Sequence, residues 1–402
     1  MFFSTQPFSP FIHLVNYTAQ MKKTLAVLFS LIFVVAFLAN CSKNDGNIFN
    51  ITGFKALPAS VSAPADNPQT TQKIALGKLL FWDPVLSGAK DVSCASCHHA
   101  SLGYTDNLDL AIGSNGVGLG TSRHFALPNN IPFAKRNTPT IINTAFNGMD
   151  VNDNCDPATA PMFFDGRVNS LEIQSLQPMK TFEEMAGHEF ATAAALDSIV
   201  NRLKAIPEYV QLFTDVFGTN SITTTNLAKA IASFERTIVS NNSPYDKYIR
   251  GDATALSATQ LQGMKAFQDN GCVNCHSGAM FSDYQLHVLS VPDNPKLPTD
   301  AGANSTYAFR TPSLRNLALT APYMHSGVFT SLDQVLNFYD QVGDRHSQNA
   351  HVSSNNLDGK LQRINNNDRQ LIIQFLNTLN DNSFDKTIPT KVPSGLHVGG
   401  NL

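Results

Sequence analysis

Along "TTTNLAKAIASFERTIV", residues 223–239, apolar side chains return at Leu227, Ile231, Phe234 and Ile238. Steps of three and four predict a helix with one buried face, and the leading threonines supply N-caps. Similar periodicity runs from Phe190 to Phe217, and "SATQLQGMKAF" repeats it with Leu261, Met264 and Phe267. Leu332, Val335, Leu336 and Tyr339 share a face at i, i+3, i+4 and i+7, after a Ser331/Gln334 capping-box pattern. Such stripes are more often core than cofactor contacts. Strand-like alternation is sparse, so the chain is expected to be mainly α.

Other stretches break the pattern. Lys22 and Lys23 precede an apolar run from Leu25 to Ala39, a secretory signal too short to span a bilayer comfortably. Met21 is the better start, which makes 1–20 a mis-annotated leader and 21–41 the signal peptide. "LAN" before Cys41 resembles a bacterial lipobox, with Asn40 off its pattern. The mature chain is either lipidated at Cys41 or cleaved nearby, and exported in both cases. Residues 42–66, rich in Ser, Pro and Ala, read as a flexible tether, and polar 240–248 as an interdomain link. The 402 residues, with net charge −3 and no basic run, suit two packed units and give no nucleic-acid footprint.

Export makes disulfides the default use of cysteine, but the spacing argues otherwise. Cys94-Ala-Ser-Cys97-His98 and Cys272-Val-Asn-Cys275-His276 are two C-x-x-C-H motifs, the c-type haem signature. Two thiols at that spacing can add to the two vinyl groups of one haem, and the adjacent histidine becomes the proximal iron ligand. A zinc ribbon would need the two pairs much closer together. Cys155 is left over as a free thiol in a loop.

The chain also repeats itself around these motifs. "KRNTPTIIN" (135–143) answers "FRTPSLRN" (309–316), and "MFFDGRVNSLEIQSLQPM" (162–179) answers "YMHSGVFTSLDQVLNFYD" (323–340). Gly166, Ser170 and Leu171 align with Gly327, Ser331 and Leu332. Two cytochrome c-like haem domains are expected, 67–240 and 255–390, packed around an interdomain site. Seven residues past the aligned leucines stand Pro178 and Tyr339. One cannot ligate iron and the other can, so one haem is expected open and the other six-coordinate through Tyr339.

From "ALGKLLFWDPVLS" (75–87) to the helix near Leu379, these motifs resemble the bacterial di-haem cytochrome c peroxidase family, which includes the MauG-type enzymes. The resemblance implies that hydrogen peroxide reacts at the N-terminal haem while electrons enter through the C-terminal one. A small cytochrome c or cupredoxin would donate them in the periplasm. It places Glu184 as the distal glutamate and Gln174 as its companion. A carboxylate whose pKa is tuned upward suits the proton shuttling that O–O cleavage demands. Asn137, Thr320 and Pro322 match the family's interdomain calcium site, a side-chain oxygen and two carbonyls. Arg136 and Arg310 are either propionate partners or surface residues. The oligomeric state stays open, a homodimer included.

Three positions depart from the family. Ser114 stands sixteen residues after His98, where many members carry a histidine that caps the peroxidatic iron. An open N-terminal haem follows, with His99 and His124 as substitutes that nothing in their context favours. Phe164 replaces an inter-haem tryptophan, and the only Trp is Trp82. Tyr339 takes the place of the methionine of the peroxidases, as in MauG-type proteins, which lowers the expected potential. Met324 is its fallback, while His325 reads as a turn residue. Two alternatives remain: a MauG-like oxidase of a protein or small organic donor, and a di-haem electron carrier with no chemistry of its own.

Overall fold

A computed structural model describes residues 1–3 and 53–402. The leader from residue 4 on, the signal segment and Cys41 lie outside the described residues. In chain order the α-helices are α1 (Thr71–Trp82), one-turn α2 (Cys94–Cys97) and α3 (Leu171–Gln174), α4 (Ala195–Lys204), α5 (Pro207–Phe217), α6 (Thr224–Glu235), α7 (Pro244–Ile249), α8 (Ala258–Asp269), α9 (Leu332–Gly343) and α10 (Arg369–Leu376). Among the described residues strands are confined to three short antiparallel pairs: 116–117 with 124–125, 161–162 with 168–169, and 286–288 with 308–310. The mainly α expectation therefore holds.

Two helix pairs organise the core. α1 crosses α6, burying Leu76 and Leu80 with Leu227 and Ile231, and α8 crosses α10, burying Met264 and Phe267 with Ile372 and Phe375. Fully burying one such side chain is worth about 1.5–3 kcal/mol. Both crossings need a glycine: a Cβ on Gly77 would lie 1.9 Å from the Ala230 carbonyl oxygen, and one on Gly263 2.0 Å from that of Leu371. The face read from 223–239 is buried at all four positions, Leu227, Ile231, Phe234 and Ile238.

Two segments read as connections are structural, and the C-terminal stretch joins the first core. The tether reading fails from residue 53: Phe54 and Leu57 are buried, and the Phe54 ring lies 6.0 Å from both Phe281 and Phe375. Polarity and prolines concealed two well-placed apolar anchors. The 240–248 link contains α7, capped by Ser243, whose buried Asp246 forms a bidentate pair with Arg315 at 2.9 Å. Past Leu379 the chain returns to the first core, where Phe384 and Val392 pack with Phe81, Trp82 and Tyr104.

Candidate functional site

Both C-x-x-C-H motifs open onto one continuous cavity of about 760 Å³ between the two helix pairs. Their four cysteines are free thiols. The histidines are anchored alike: His98 Nδ1 meets the Tyr104 carbonyl at 3.1 Å and His276 Nδ1 the Phe281 carbonyl at 2.8 Å. Tyr104 and Phe281 share a left-handed backbone, φ 55° and 53°. With Nδ1 committed, Nε2 is the ring atom left for a metal, the usual outer-shell arrangement of a ligating histidine. Burial lowers His98 to about 4 and also lowers His276, so both rings are neutral at physiological pH. Two thiols and one neutral imidazole per motif, on an apolar-walled cavity, fit two c-type haems.

The internal repeat extends to backbone angles. Asn143 and Asn316 close the aligned "TP" segments at φ 65° and 63°, each leading into a 3₁₀ turn. Ser170 and Ser331 cap α3 and α9, accepting from the N–H groups of Ile173 and Gln334. Gln334 Oε1 reaches back to the Thr330 N–H at 2.7 Å rather than to the cap residue itself. Pro178 and Tyr339, aligned beyond those caps, both line the cavity.

On the N-terminal side Glu184 and Gln174 line the same wall. Glu184 sits on a π-helical turn, Phe182–Ala186, a local distortion frequent at functional sites. Burial pushes its carboxyl up to about 7; Glu183 adds to the effect, and Arg167 and Lys135 oppose it. The turn is held from behind. Ser114 Oγ donates to the Glu184 carbonyl at 3.3 Å, and a Cβ on Gly113 would lie 2.3 Å from that oxygen. Arg123 fixes the same loop, donating to the Ile112 carbonyl at 2.6 Å and the Gly113 carbonyl at 3.1 Å. Ser114 is outside the cavity lining, as are His99, packed edge-on against Trp82, and exposed His124.

On the C-terminal side Leu332, Val335, Leu336 and Tyr339 all face the cavity from α9. Burial raises the Tyr339 phenol well above its usual range. Met324 lines the cavity too, in a turn at φ 71°. His325 is no surface turn residue. It is buried and stacks on Phe309 with centroids 3.5 Å apart, with the Phe164 ring 6.5 Å away.

Asn137, Thr320 and Pro322 share the cavity lining. Asn137 Nδ2 donates to the Leu108 carbonyl at 2.8 Å, which leaves Oδ1 as its ligand atom. Arg136 is not a surface residue: it pairs with Asp165 at 2.8 Å and with Asp300 through Nη2 at 3.0 Å. Arg310 binds the Phe163 carbonyl at 3.0 Å and lies over the Tyr284 ring.

A sequence profile described as di-haem cytochrome c peroxidase matches residues 71–254. The methylamine utilization protein MauG of Methylorubrum extorquens is 34% identical over 83% of this chain and 85% of its own length. The chain belongs to the di-haem cytochrome c peroxidase family. A cytochrome-c peroxidase, IdrP1, from a Pseudomonas species is 35% identical over 77% of this chain and 81% of its own. Among solved structures, a MauG-like protein associated with microbial copper homeostasis superposes with TM-score 0.65 at 26% identity, covering 81% of this chain and 94% of that one.

For a di-haem peroxidase fold, two residues of this cavity escaped the sequence reading. Glu235 is a buried acid in its wall; the signal was an acid inside the buried run 230–236 of α6. His287 is held between Asp358 at 2.6 Å and Asp283 at 3.0 Å; the Asp283 hydrogen bond foremost, then the Cys275 thiol and Asp358, raise its pKa against burial. Nothing in its local sequence marks it. No helix among the described residues is long and apolar enough to cross a membrane.

Proposed function

We propose that this protein is a periplasmic peroxidase that reduces hydrogen peroxide to water at its N-terminal haem. Electrons are drawn through the C-terminal haem from a small cytochrome c or cupredoxin. The observation that carries this reading is Glu184, a carboxyl poised near neutrality in a cavity wall. The bound haem supplies an iron that takes the peroxide and the electrons. Glu184 removes the proton from the inner peroxide oxygen and returns it to the outer one, which leaves as water. Gln174 orients the peroxide by hydrogen bonding. Pro178 offers no ligand at the position where Tyr339 offers one, and Ser114, His99 and His124 lie off the cavity, which supports an open N-terminal iron. His98 would hold the N-terminal haem and Tyr339 would hold the C-terminal one, so that the two haems could take the separate duties of reaction and electron transfer. Asn137 Oδ1 with the Thr320 and Pro322 carbonyls would hold calcium between two cytochrome c-like domains.

Stopped-flow addition of peroxide to the diferric holoprotein tests this. A rapid change at the N-terminal haem that Glu184→Ala slows strongly supports the reading; indifference to peroxide, with both irons six-coordinate, sinks it in favour of a plain carrier. A MauG-like oxidase of a protein or organic donor is the second reading, favoured by Tyr339 and Ser114. Phe164, harder to oxidise than tryptophan, weighs against it. Decay of the peroxide-treated state with and without reduced cytochrome c separates the two.

A further inference from the structure

Glu235 ends α6 and lines the cavity at 5% exposure, and its Oε2 has no hydrogen-bond partner. The adjacent cation, Arg236, commits its two terminal nitrogens elsewhere, while its Nε is also unpartnered. Arg236 forks onto Glu172, with Nη1 to Oε1 at 2.6 Å and Nη2 to Oε2 at 2.9 Å. The carboxyl also sits at a helix C-terminus, where the backbone dipole adds negative potential. An unpartnered buried carboxylate is strongly disfavoured there, so the neutral acid is the stable form. Burial pushes the group up to about 8, with Arg236 opposing and Glu172 adding.

Its neighbour Phe234 packs in the same cluster as Cys94, one of the two haem-attachment thiols, and both Glu235 and Cys94 line the cavity, so the carboxyl lies on the Cys94 side of the N-terminal cradle. Ser93 Oγ, next in the chain and also on the cavity wall, is a second buried polar atom without a partner. Two orphaned polar groups flanking one cysteine are unusual in a finished protein interior. They mark a place where a proton or an ordered water is exchanged.

We propose that Glu235 is the proton-exchanging acid of the N-terminal haem: in mildly alkaline solution, where it is ionised beside the oxidised haem, its carboxylate binds one proton from solvent when the haem gains an electron, and releases it when the electron leaves. In a low-dielectric cavity an added electron raises the proton affinity of a nearby acid, and by linkage the proton favours the electron. The inference rests on the reading of this cavity as a haem site. The role is distinct from that of Glu184, which handles the protons of peroxide itself. The other titratable or charged groups around Glu235 are Cys94 on α2, Glu172 on α3, Arg236 beside it, and Lys73 and Lys78 on α1. Each cation has its own partners: Lys73 Nζ donates to Asn67 Oδ1 at 2.8 Å and Lys78 Nζ to Asp385 at 2.8 Å. Asn67 Nδ2 in turn donates to Glu172 Oε1 at 2.7 Å and to the Lys229 carbonyl at 3.1 Å, and Lys229 pairs with exposed Asp66, so the polar chain beside Glu235 runs from Arg236 and Glu172 outward without including Glu235 itself.

The test is spectroelectrochemical reduction of the two-haem holoprotein, wild type against Glu235→Gln, with dithionite or an electrode as reductant. Proton uptake and redox-difference infrared spectra are recorded through neutral to mildly alkaline pH. Wild type is expected to take up protons as the N-terminal haem is reduced, with a carboxylic-acid band appearing alongside. Glu235→Gln is expected to lose that band and most of that uptake while the C-terminal haem is unchanged. Glu235→Asp provides the milder variant: it keeps the uptake but moves its pH midpoint. An unchanged band and unchanged uptake in haem-replete Glu235→Gln, or an unmoved midpoint in Glu235→Asp, overturns the proposal alone. Failure of wild type to bind haem at Cys94 and Cys97 overturns the haem reading with it.

Discussion

His98 and His276 are held by the same device, a carbonyl on a left-handed residue five or six positions later. The Asn143 and Asn316 bends and the Ser170 and Ser331 caps match as well. Beyond those caps the halves diverge. The N-terminal half continues into Pro178 and a π-turn carrying Glu184, whereas the C-terminal half continues as a regular three-turn helix carrying Tyr339. A shared backbone thus presents the two histidines in similar settings while the facing walls differ, and on the proposed reading that difference separates reaction from electron transfer. The device that differs is small: one helix stops at Gln174 and Pro178 opens a 3₁₀ turn, where the counterpart helix runs on to Gly343.

The largest expected break in this contrast is Glu184→Ala, which should slow the reaction with peroxide about 10²–10⁴-fold, the usual worth of general acid–base catalysis. Its C-terminal haem spectrum should stay as in wild type. Next comes Gly113→Ala. A methyl group there meets the Glu183 and Glu184 carbonyls at 2.4 and 2.3 Å, so the turn must shift. Overpacking of this kind costs about 1–3 kcal/mol of stability, read as a lower denaturation midpoint, together with slower peroxide reaction at full haem content. Tyr339→Phe should alter the spectrum of the C-terminal haem alone, and Tyr339→Met should raise its potential; an unchanged spectrum would remove Tyr339 as a ligand. The smallest effect is on pH. Glu184 acts as a base only when ionised, and burial raises it to about 7. The peroxide rate should fall as pH drops through neutrality, and Glu184→Gln should flatten that profile at a low rate.

Much of the frame was legible because it rests on local chemistry. The C-x-x-C-H spacing, the face of Leu227, Ile231, Phe234 and Ile238, and the α9 stripe all follow from periodicity or fixed spacing. Glu184 and Gln174 were not legible that way. Two adjacent glutamates read as a solvated surface until a family resemblance separates them, because pocket burial is a tertiary property. The same limit hid Phe54 and Leu57, which lie in a polar stretch yet fill an aromatic cluster. It also hid His325, whose ring finds Phe309 across the fold. Arg123 is the clearest case: its four carbonyl contacts, to Ile112, Gly113, Gly118 and Asn401, make sense only once the loop has its shape.

The return of residues 384–402 over the first core bears on the order of assembly. Ser96 Oγ, between the two cysteines of the first motif, donates to the Gly399 carbonyl at 2.8 Å across 303 positions of chain. Gly399 in turn donates its N–H to the Trp82 carbonyl at 2.8 Å. Contacts so distant in sequence form late, because loop closure must precede any return from them. The second motif draws its packing from Phe54 to Leu379 and does not wait for that strap. Cys94 and Cys97 thus lose their last open side only when the chain's final stretch settles. On the proposed reading, the half that meets peroxide is the one whose attachment motif is closed over by the chain's final stretch.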